Sequence, residues 1–159
     1  MRASDLTISL PLVDRASKAS DAVRIIAEQD LIGLVVADAS GVPKAVVSAI
    51  DVARLMLPRY IRDDLSLANV VGESGVRDLW GELADRTIGD VLDDDEVQAR
   101  AILTVEPDAT LVEVAARLVD ARTQVCRVVG DDGVDHGFVT LPHLLDAIVA
   151  TVDERGTAE

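Results

Sequence analysis

The apolar and polar positions of this chain follow the same order twice. Residues 12–57 align without a gap on residues 104–149 at a constant offset of 92. In each copy, an apolar strand is followed by an amphipathic helix, a second strand, a glycine turn, a third strand and a second helix. A duplication of this size indicates two like units, neither of which could easily bury its apolar face alone. We therefore expect a pseudo-symmetric pair, and we look for function in the cleft between the copies.

Each copy contains one helix whose apolar residues recur at i, i+3, i+4, i+7 and i+8, the period of a single buried face. The first of these helices is predicted over residues 18–29, and the second follows a predicted capping box of Thr110 and Glu113. A further helix is predicted at the end of each copy, over residues 49–57 and 141–149. Strands are predicted over residues 8–13, 34–37, 45–47, 101–105, 125–129 and 137–139.

The remaining segments lie outside the repeat. Residues 58–87 hold Tyr60 and Trp80 and are predicted to form a helical linker on the rim of the module, with a lid or partner-docking element as the alternative. Residues 151–159 are polar, and we expect a flexible tail.

Composition restricts the function classes. Of 159 residues, 29 are acidic and 15 are basic, so the net charge is −14, and no basic patch is present that could neutralise phosphates. We therefore expect no nucleic-acid partner. Neither a signal peptide nor an apolar run of about 18 residues occurs, which predicts a cytoplasmic protein without membrane insertion. Cys126 is the only cysteine, so an internal disulfide and a cysteine-cluster metal site are excluded, and we predict a core position for it.

The candidate chemistry lies where the third strand of each copy meets the following helix. Ser48 stands at the predicted helix N-cap with Asp51 three residues later, an arrangement that a helix cap explains completely. The same residues could also hold a phospho-ribose group, because helix N-termini attract phosphate and a carboxylate accepts both hydroxyls of a ribose. In the second copy, Thr140 and His143 occupy these positions.

Both copies resemble CBS domains, and the pair resembles a Bateman module, over residues 8–57 and 88–150. The likeness rests on residues 34–38, Gly41, 46–51, 126–130, Gly133 and 137–140. It implies an α+β fold of tandem CBS domains, each a small three-stranded sheet with two helices, packed sheet to sheet with pseudo-twofold symmetry. The expected domains are residues 1–57 and 88–150, separated by the linker 58–87.

The resemblance also implies a ligand. Such modules often bind AMP, ADP, ATP or S-adenosylmethionine between the domains, and the family's Ser/Thr-x-x-Asp motif matches Ser48 and Asp51. The expected ligand-binding residues are Ser48, Asp51, Val46, Ile102, Leu103, Thr123 and Gln124. A second, weaker site is expected at Thr140, His143, Leu10, Pro11, Leu31 and Ile32, because a histidine cannot accept two ribose hydrogen bonds as a carboxylate does.

The leading hypothesis is a stand-alone regulatory module that binds an adenosine ligand and signals to an unidentified partner protein. We expect a homodimer, with the helix over residues 49–57 as its interface. The alternative is a ligand-free dimerisation or assembly module. Because no P-loop, HExxH or GxSxG motif occurs, we expect no enzyme, no catalytic residue and no catalytic cofactor. The acidic run at residues 93–96 is interpreted as a solvated turn rather than a metal site.

Overall fold

The computed structural model of the protein describes residues 1–97 and 99–156. Its strands are β1 (Leu12–Val13), β2 (Gly33–Ala37), β3 (Pro43–Ser48), β4 (Arg100–Ala101), β5 (Leu103–Val105), β6 (Val125–Val129) and β7 (Asp135–Thr140). Its α-helices are α1 (Ala19–Gln29), α2 (Ala49–Met56), α3 (Arg59–Asp63), α4 (Glu73–Ala84), α5 (Ile88–Leu92), α6 (Leu111–Ala121) and α7 (Leu141–Gly156). Two short 3-10 helices cover Ala3–Leu6 and Leu65–Val70. The predicted α+β class is confirmed.

The strands form two small sheets, with strand orders β1-β2-β3-β4 and β5-β6-β7. In each sheet the first pair is parallel and the next pair antiparallel. Each copy has three strands, and the first sheet has one more, but β1 covers only Leu12–Val13 of the strand predicted over residues 8–13. Ile8 instead forms an isolated bridge with Phe138. The strand predicted over residues 101–105 is present only as β5, because Ala101 belongs to β4, which lies in the other sheet. Two residues of the connection cover the edge of β3, which would otherwise present unpaired backbone groups.

The duplication is as exact in the backbone as in the sequence pattern. The helices α1 and α6 end in left-handed residues, Asp30 at φ 51° and Arg122 at φ 49°, which are 92 positions apart. The turns after β2 and β6 contain Gly41 at φ 82° and Gly133 at φ 78°, also 92 apart. Glycine is favoured there because a Cβ atom disfavours positive φ. Each turn follows a register shift in the antiparallel pair, again at equivalent positions.

Contacts divide the chain into two units, which we call the first unit (Pro11–Arg100) and the second unit (Met1–Leu10 with Ala101 onward). Each unit has its own apolar core. The buried residues of the first core are Val13, Ala19, Ala22, Leu34, Val36, Val47, Val52, Leu55, Leu83, Ile88 and Val91. Those of the second are Ala3, Val105, Ala109, Val114, Leu118, Cys126, Val128, Val139 and Leu144. Cys126 is fully buried as predicted, and burial raises the pKa of its thiol to about 11.

The opening helix of each copy packs in the unit that holds the other copy. The Ala3 amide donates to the Ala109 carbonyl at 2.9 Å, and the Ile88 amide donates to the Ser17 carbonyl at 2.9 Å. Ser17 and Ala109 are equivalent positions of the repeat, so Ala3–Leu6 and α5 occupy equivalent places. The packing units therefore do not follow the expected domain boundaries, which describe the repeat in the sequence.

The same capping arrangement begins both opening helices. The Arg2 amide donates to Asp5 Oδ2 at 2.7 Å, and the Thr87 amide donates to Asp90 Oδ2 at 2.8 Å. These residues are separated by 85 positions rather than 92, because the connection that follows is longer in the second copy. The repeat thus extends to residues that the ungapped alignment left out.

The segment over residues 58–87 contributes to the first core. It consists of α3, the second 3-10 helix and α4, as the predicted helical linker requires, but Leu83 of α4 is fully buried. Trp80 packs against the same core, and the Arg24 guanidinium lies 5.2 Å from the centre of its ring. α4 is therefore part of the first unit's packing and not only an addition to its rim.

The helix α7 runs past the end predicted for it, to Gly156, so most of the expected flexible tail (residues 151–159) is helical. Residues 157–159 of that tail lie outside the described residues. None of the described helices combines the length and the apolar character needed to cross a bilayer.

Candidate functional site

Ser48 and Asp51 meet at the junction of β3 and α2. Ser48 has extended backbone angles of φ −71° and ψ 152°, which end the strand and start the helix. The Asp51 amide donates to Ser48 Oγ at 3.2 Å, and Ser48 Oγ donates to Asp51 Oδ2 at 2.6 Å. Both side chains are half-buried. The predicted helix cap is therefore present, with a hydroxyl and a carboxylate side by side.

The junction is held by backbone pairing within the first sheet. The Ala49 amide donates to the Ile32 carbonyl at 2.9 Å, which fixes the start of α2 beside the residue that precedes β2. Val46 lies two residues before Ser48 in β3 and pairs with Val35. Within the described part of the chain, no lysine, arginine or histidine forms an ion pair with Asp51. Its carboxylate thus keeps acceptor capacity for other donors.

The second copy repeats the geometry with different chemistry. Thr140 Oγ1 lies 2.8 Å from His143 Nδ1, the counterpart of the contact between Ser48 and Asp51. The Leu141 amide donates to the Gln124 carbonyl at 2.8 Å, as the Ala49 amide does in the first copy. The backbone therefore builds the same helix start, but an imidazole ring replaces the carboxylate.

The residues expected around an adenine base lie on the connections of the second unit. Leu103 begins β5, and Ile102 separates it from β4. Thr123 is buried, and its Oγ1 both donates to the Val125 carbonyl at 3.3 Å and accepts the Val125 amide at 3.4 Å. Gln124 is exposed. The Thr123 hydroxyl thus makes its hydrogen bonds within its own loop, whereas the side chain of Gln124 is exposed to solvent.

Each expected site draws on both units. For the first site, Val46, Ser48 and Asp51 belong to the first unit, and the other four residues to the second. For the second site, Thr140, His143 and Leu10 belong to the second unit; Pro11, Leu31 and Ile32 belong to the first. Within the first unit, the structure brings together Ser48, Asp51 and Ile32. Within the second unit, it brings together Thr140, His143 and Gln124.

Several basic side chains near these junctions already have carboxylate partners. Lys44 pairs with Asp38 at 3.6 Å, and Arg127 pairs with Asp135 at 2.7 Å. Together with hydrogen bonding to the Gly137 amide, this contact keeps the pKa of Asp135 below its usual value despite the opposing effect of burial. These cations would have to give up a partner before they could bind a phosphate.

The acidic run after α5 is held by arginines. Arg15 pairs with Asp93 at 2.7 Å, and Glu96 accepts from Arg54 at 2.9 Å and from Arg62 at 2.6 Å. Among the described residues, no three histidine, cysteine or carboxylate side chains are placed to hold a metal ion. Sequence reasoning missed the two contacts of Glu96, since its partners are 42 and 34 positions away and no local pattern connects them.

Comparison with known proteins agrees with this architecture. The CBS domain family model matches residues 88–150. The crystal structure of a CBS-domain-containing protein of unknown function from Kribbella flavida is 32% identical, with a TM-score of 0.73, and the match covers 93% of this chain and 99% of that one. The chain belongs to the CBS-domain family. A search of curated proteins found no match.

More distant structures share the fold of this CBS pair. CBSX2 from Arabidopsis thaliana is 19% identical, with a TM-score of 0.66, and the match covers 96% of each chain. A structure of CBSX2 in complex with AMP is 19% identical, with a TM-score of 0.62, covering 94% of this chain and 97% of that one. The tandem arrangement of CBS domains is thus shown for the whole chain, including the first copy, which the family model does not match.

Proposed function

We propose that this CBS pair is a regulatory, non-catalytic module that binds one adenosine ligand between its two copies and passes its occupancy to a partner protein. The observation that carries the proposal is the half-buried pair of Ser48 and Asp51 at the start of α2. Its hydroxyl and carboxylate lie 2.6 Å apart, and the carboxylate has no cationic partner among the described residues. The complex of CBSX2 with AMP supports an adenosine compound as the ligand class.

The two groups suit different parts of a nucleoside phosphate. The first amides of α2 and the Ser48 hydroxyl are donors, and a helix N-terminus favours an anion, so they fit a phosphate. The Asp51 carboxylate would repel a phosphate but can accept hydrogen bonds from both hydroxyls of a ribose. In the proposed complex, Ser48 contacts phosphate and Asp51 contacts the ribose.

The base completes the proposed site. We assign it to Ile102, Leu103, Thr123 and Gln124, with Val46 packing beneath it. The aliphatic residues suit the two apolar faces of a purine. The polar residues of the loop before β6 suit its polar edge. The exposed amide of Gln124 can donate and accept hydrogen bonds at that edge.

The second copy is proposed to bind weakly or not at all. Thr140 keeps the hydroxyl, but His143 cannot accept two hydrogen bonds from a ribose. The expected stoichiometry is therefore one ligand per chain. The net charge of −14 and the existing ion pairs of Lys44 and Arg127 favour AMP, ADP or S-adenosylmethionine over ATP, which carries more negative charge.

Calorimetric titration with AMP, 2′-deoxy-AMP, ATP and S-adenosylmethionine tests the proposal. We expect AMP to bind at one site. The 2′-deoxy compound should bind at least about tenfold more weakly, since one lost hydrogen bond to a charged group corresponds to about 1.4 kcal/mol or more. Asp51→Ala should remove binding, while His143→Ala, the matched change in the other copy, should leave it unchanged. Equal binding by Asp51→Ala would show that the ribose assignment is wrong.

A second candidate function is assembly without a ligand. Ile50 on α2 is 75% exposed, and Leu57, which follows α2, is also an exposed apolar residue, as are Leu145 and Val149 on α7. These surfaces support a homodimer, which we propose together with a cytoplasmic location. If none of the four compounds binds and sedimentation shows a stable dimer that Ile50→Ser dissociates, assembly replaces ligand sensing as the function.

A further inference from the structure

A groove in the first unit lies between α4 and the segment that follows α2. That segment contains α3 and the second 3-10 helix, and it exists because Pro58 ends α2, whereas α7 continues as a helix through the equivalent Ala150. The groove has a volume of about 360 Å³, within the roughly 300–1,000 Å³ that ligand pockets occupy. It has no residue in common with the proposed adenosine site. Its lining includes Tyr60, Val70, Val71, Asp78, Leu79 and Glu82.

Much of the apolar lining is open to solvent. Val70 is 82% exposed and Tyr60 57%, while Val71 and Leu79 are half-buried. The chain has only three aromatic residues, and the other two are buried or pack against a core. Exposed aromatic rings often anchor partner proteins, because they supply a large contact area with few rotatable bonds. Tyr60 therefore offers a ring for contact with a second molecule.

The α4 side of the groove carries two carboxylates without cationic partners. Asp78 and Glu82 are four residues apart, so they lie on the same face of α4, where like charges repel. Both are exposed, and no described lysine, arginine or histidine forms an ion pair with either. Gly75 on the same face lets the opposite wall approach α4, since a Cβ atom there would collide with the Val71 side chain. A cation bound in the groove would relieve the repulsion between the two carboxylates.

The charges around the groove also favour a cation. Residues 58–82 contain five carboxylates and three arginines, which gives a net charge of −2. Two of these arginines, Arg59 and Arg62, already pair with carboxylates at 3.7 Å and 2.6 Å. The third, Arg77, projects about 100° around α4 from Asp78 and is not part of the lining. Among the described residues that line the groove, none is basic, so its charge complements a basic partner.

We propose that this groove is the docking site for a basic segment of the partner protein, which inserts an arginine beside Asp78 and Glu82. A guanidinium suits the groove because its planar fork donates to carboxylates and stacks on an aromatic ring, here that of Tyr60. An aliphatic side chain of the same segment covers Val70 and Leu79. The inference rests on the proposed function in supposing a partner protein, but it does not depend on the adenosine site.

The probe is the peptide acetyl-leucyl-arginyl-leucine amide, titrated into the full chain and followed by two-dimensional ¹H–¹⁵N NMR at low salt. We expect saturable shifts of the Gly72, Gly75 and Leu79 amides. The same peptide with citrulline in place of arginine has nearly the same shape without the charge. It should bind about fivefold more weakly, which corresponds to about 1 kcal/mol, the upper range for an exposed ion pair. High salt should remove this difference, because it screens exposed charges.

Two variants test the two parts of the groove at exposed positions that do not threaten the fold. The double change Asp78→Asn with Glu82→Gln should weaken the arginine peptide about fivefold and leave the citrulline peptide unchanged. Val70→Ser should weaken both peptides, because it removes apolar contact. Asp120→Asn, which removes an exposed carboxylate from α6, is the matched control and should change neither.

Three results would overturn the proposal. The first is the absence of a saturable shift up to the solubility limit of the arginine peptide. The second is equal binding of the two peptides at low salt, which would show an apolar patch without recognition of charge. The third is that the same signals shift on dilution of the protein alone, which would show that a second copy covers the groove.

The outcome is independent of the adenosine titration. A chain that binds AMP at one site but shows no peptide shift refutes the docking site and keeps the proposed ligand. A chain that binds the arginine peptide as expected but none of the adenosine compounds keeps the docking site and refutes the proposed ligand.

Discussion

The starts of the last helices of the two copies, α2 and α7, have the same backbone and different side chains. In both, the first helical amide donates a hydrogen bond to the carbonyl of the residue before the central strand, Ile32 at 2.9 Å and Gln124 at 2.8 Å. In both, a hydroxyl contacts the side chain three residues later, at 2.6 Å and 2.8 Å. One partner is the carboxylate of Asp51 and the other is the ring of His143. A duplicated scaffold can thus keep its geometry while only one copy keeps the chemistry proposed for ribose binding.

The largest effect is expected at a position that is buried in the second copy and partly buried in the first. Leu118 on α6 is 2% exposed and packs in the second core, as its equivalent Ile26 packs against the first. Leu118→Ala should lower the free energy of unfolding by about 2–5 kcal/mol, through lost contacts and the cavity left behind. Urea unfolding measures this change.

The neighbouring residue is the control for that experiment. Val119 is 76% exposed on the same helix, so Val119→Ala should change the free energy of unfolding by no more than about 0.5 kcal/mol. Similar losses for both variants would contradict the core assignment of α6.

The second prediction converts one copy into the other. His143→Asp places a carboxylate beside Thr140 and should raise the stoichiometry of AMP binding from one to two per chain. At a ligand concentration of about 100 times the dissociation constant, the new site should stabilise the fold by about 2.7 kcal/mol more. Calorimetry and thermal unfolding measure the two quantities. The reverse change, Asp51→His, should leave no site, and a retained site would refute the role of the carboxylate.

The equivalent helices α1 and α6 differ in their N-terminal caps. Thr110 Oγ1 accepts the Glu113 amide at 3.2 Å, whereas the equivalent Lys18 makes no side-chain hydrogen bond to α1. Only the first half of the predicted capping box forms, since the Glu113 carboxylate lies 3.4 Å from Arg117. Thr110→Ala should destabilise the protein by about 1 kcal/mol.

Lys18 offers the opposite experiment. Its backbone angles of φ −68° and ψ 137° already suit an N-cap residue, so Lys18→Thr should stabilise the protein by about 0.5–1 kcal/mol. Urea unfolding of both variants checks the pair. A lower free energy of unfolding in Lys18→Thr would mean that the lysine side chain stabilises the protein more than a capping hydroxyl does.

The smallest effect concerns the turns after the central strands. Hydrogen bonds from the Ser40 hydroxyl and the Val42 amide lower the pKa of Asp38, whose counterpart in the second copy is Gly130. A carboxyl with a lower pKa in the folded state contributes stability above its unfolded value of about 3.9 and loses it as the pH falls. Asp38→Asn should therefore make stability fall less steeply with acid than in the wild type. Unfolding curves at a series of acidic pH values test this, and an unchanged slope would contradict it.

The strand and helix pattern was predictable because it depends on short-range periodicity. The predicted helices over residues 18–29 and 49–57 differ from α1 and α2 by a single residue. The Ser48 cap of Asp51 was equally predictable, since both groups lie within one turn of helix. The partial failure of the capping box at Thr110 shows the limit of such rules, because a local ion pair can take the second side chain.

The order of residues alone predicts the duplication, the burial of Cys126 and the difference between Asp51 and His143, because each depends on neighbours within a few positions or on the repeat itself. The same periodicity places Ala27 and Val119 on buried helix faces, and this prediction is wrong, since both residues are exposed. Only the tertiary structure decided four other features. They are the packing of each opening helix in the unit of the other copy, the division of the strand at Ile102, the burial of Leu83 and the pairing of Glu96 with two arginines. Each of these joins residues far apart in the chain. Which distant partner covers an exposed sheet edge, a core surface or a buried charge depends on what the folded backbone brings within reach, and no local pattern encodes that choice.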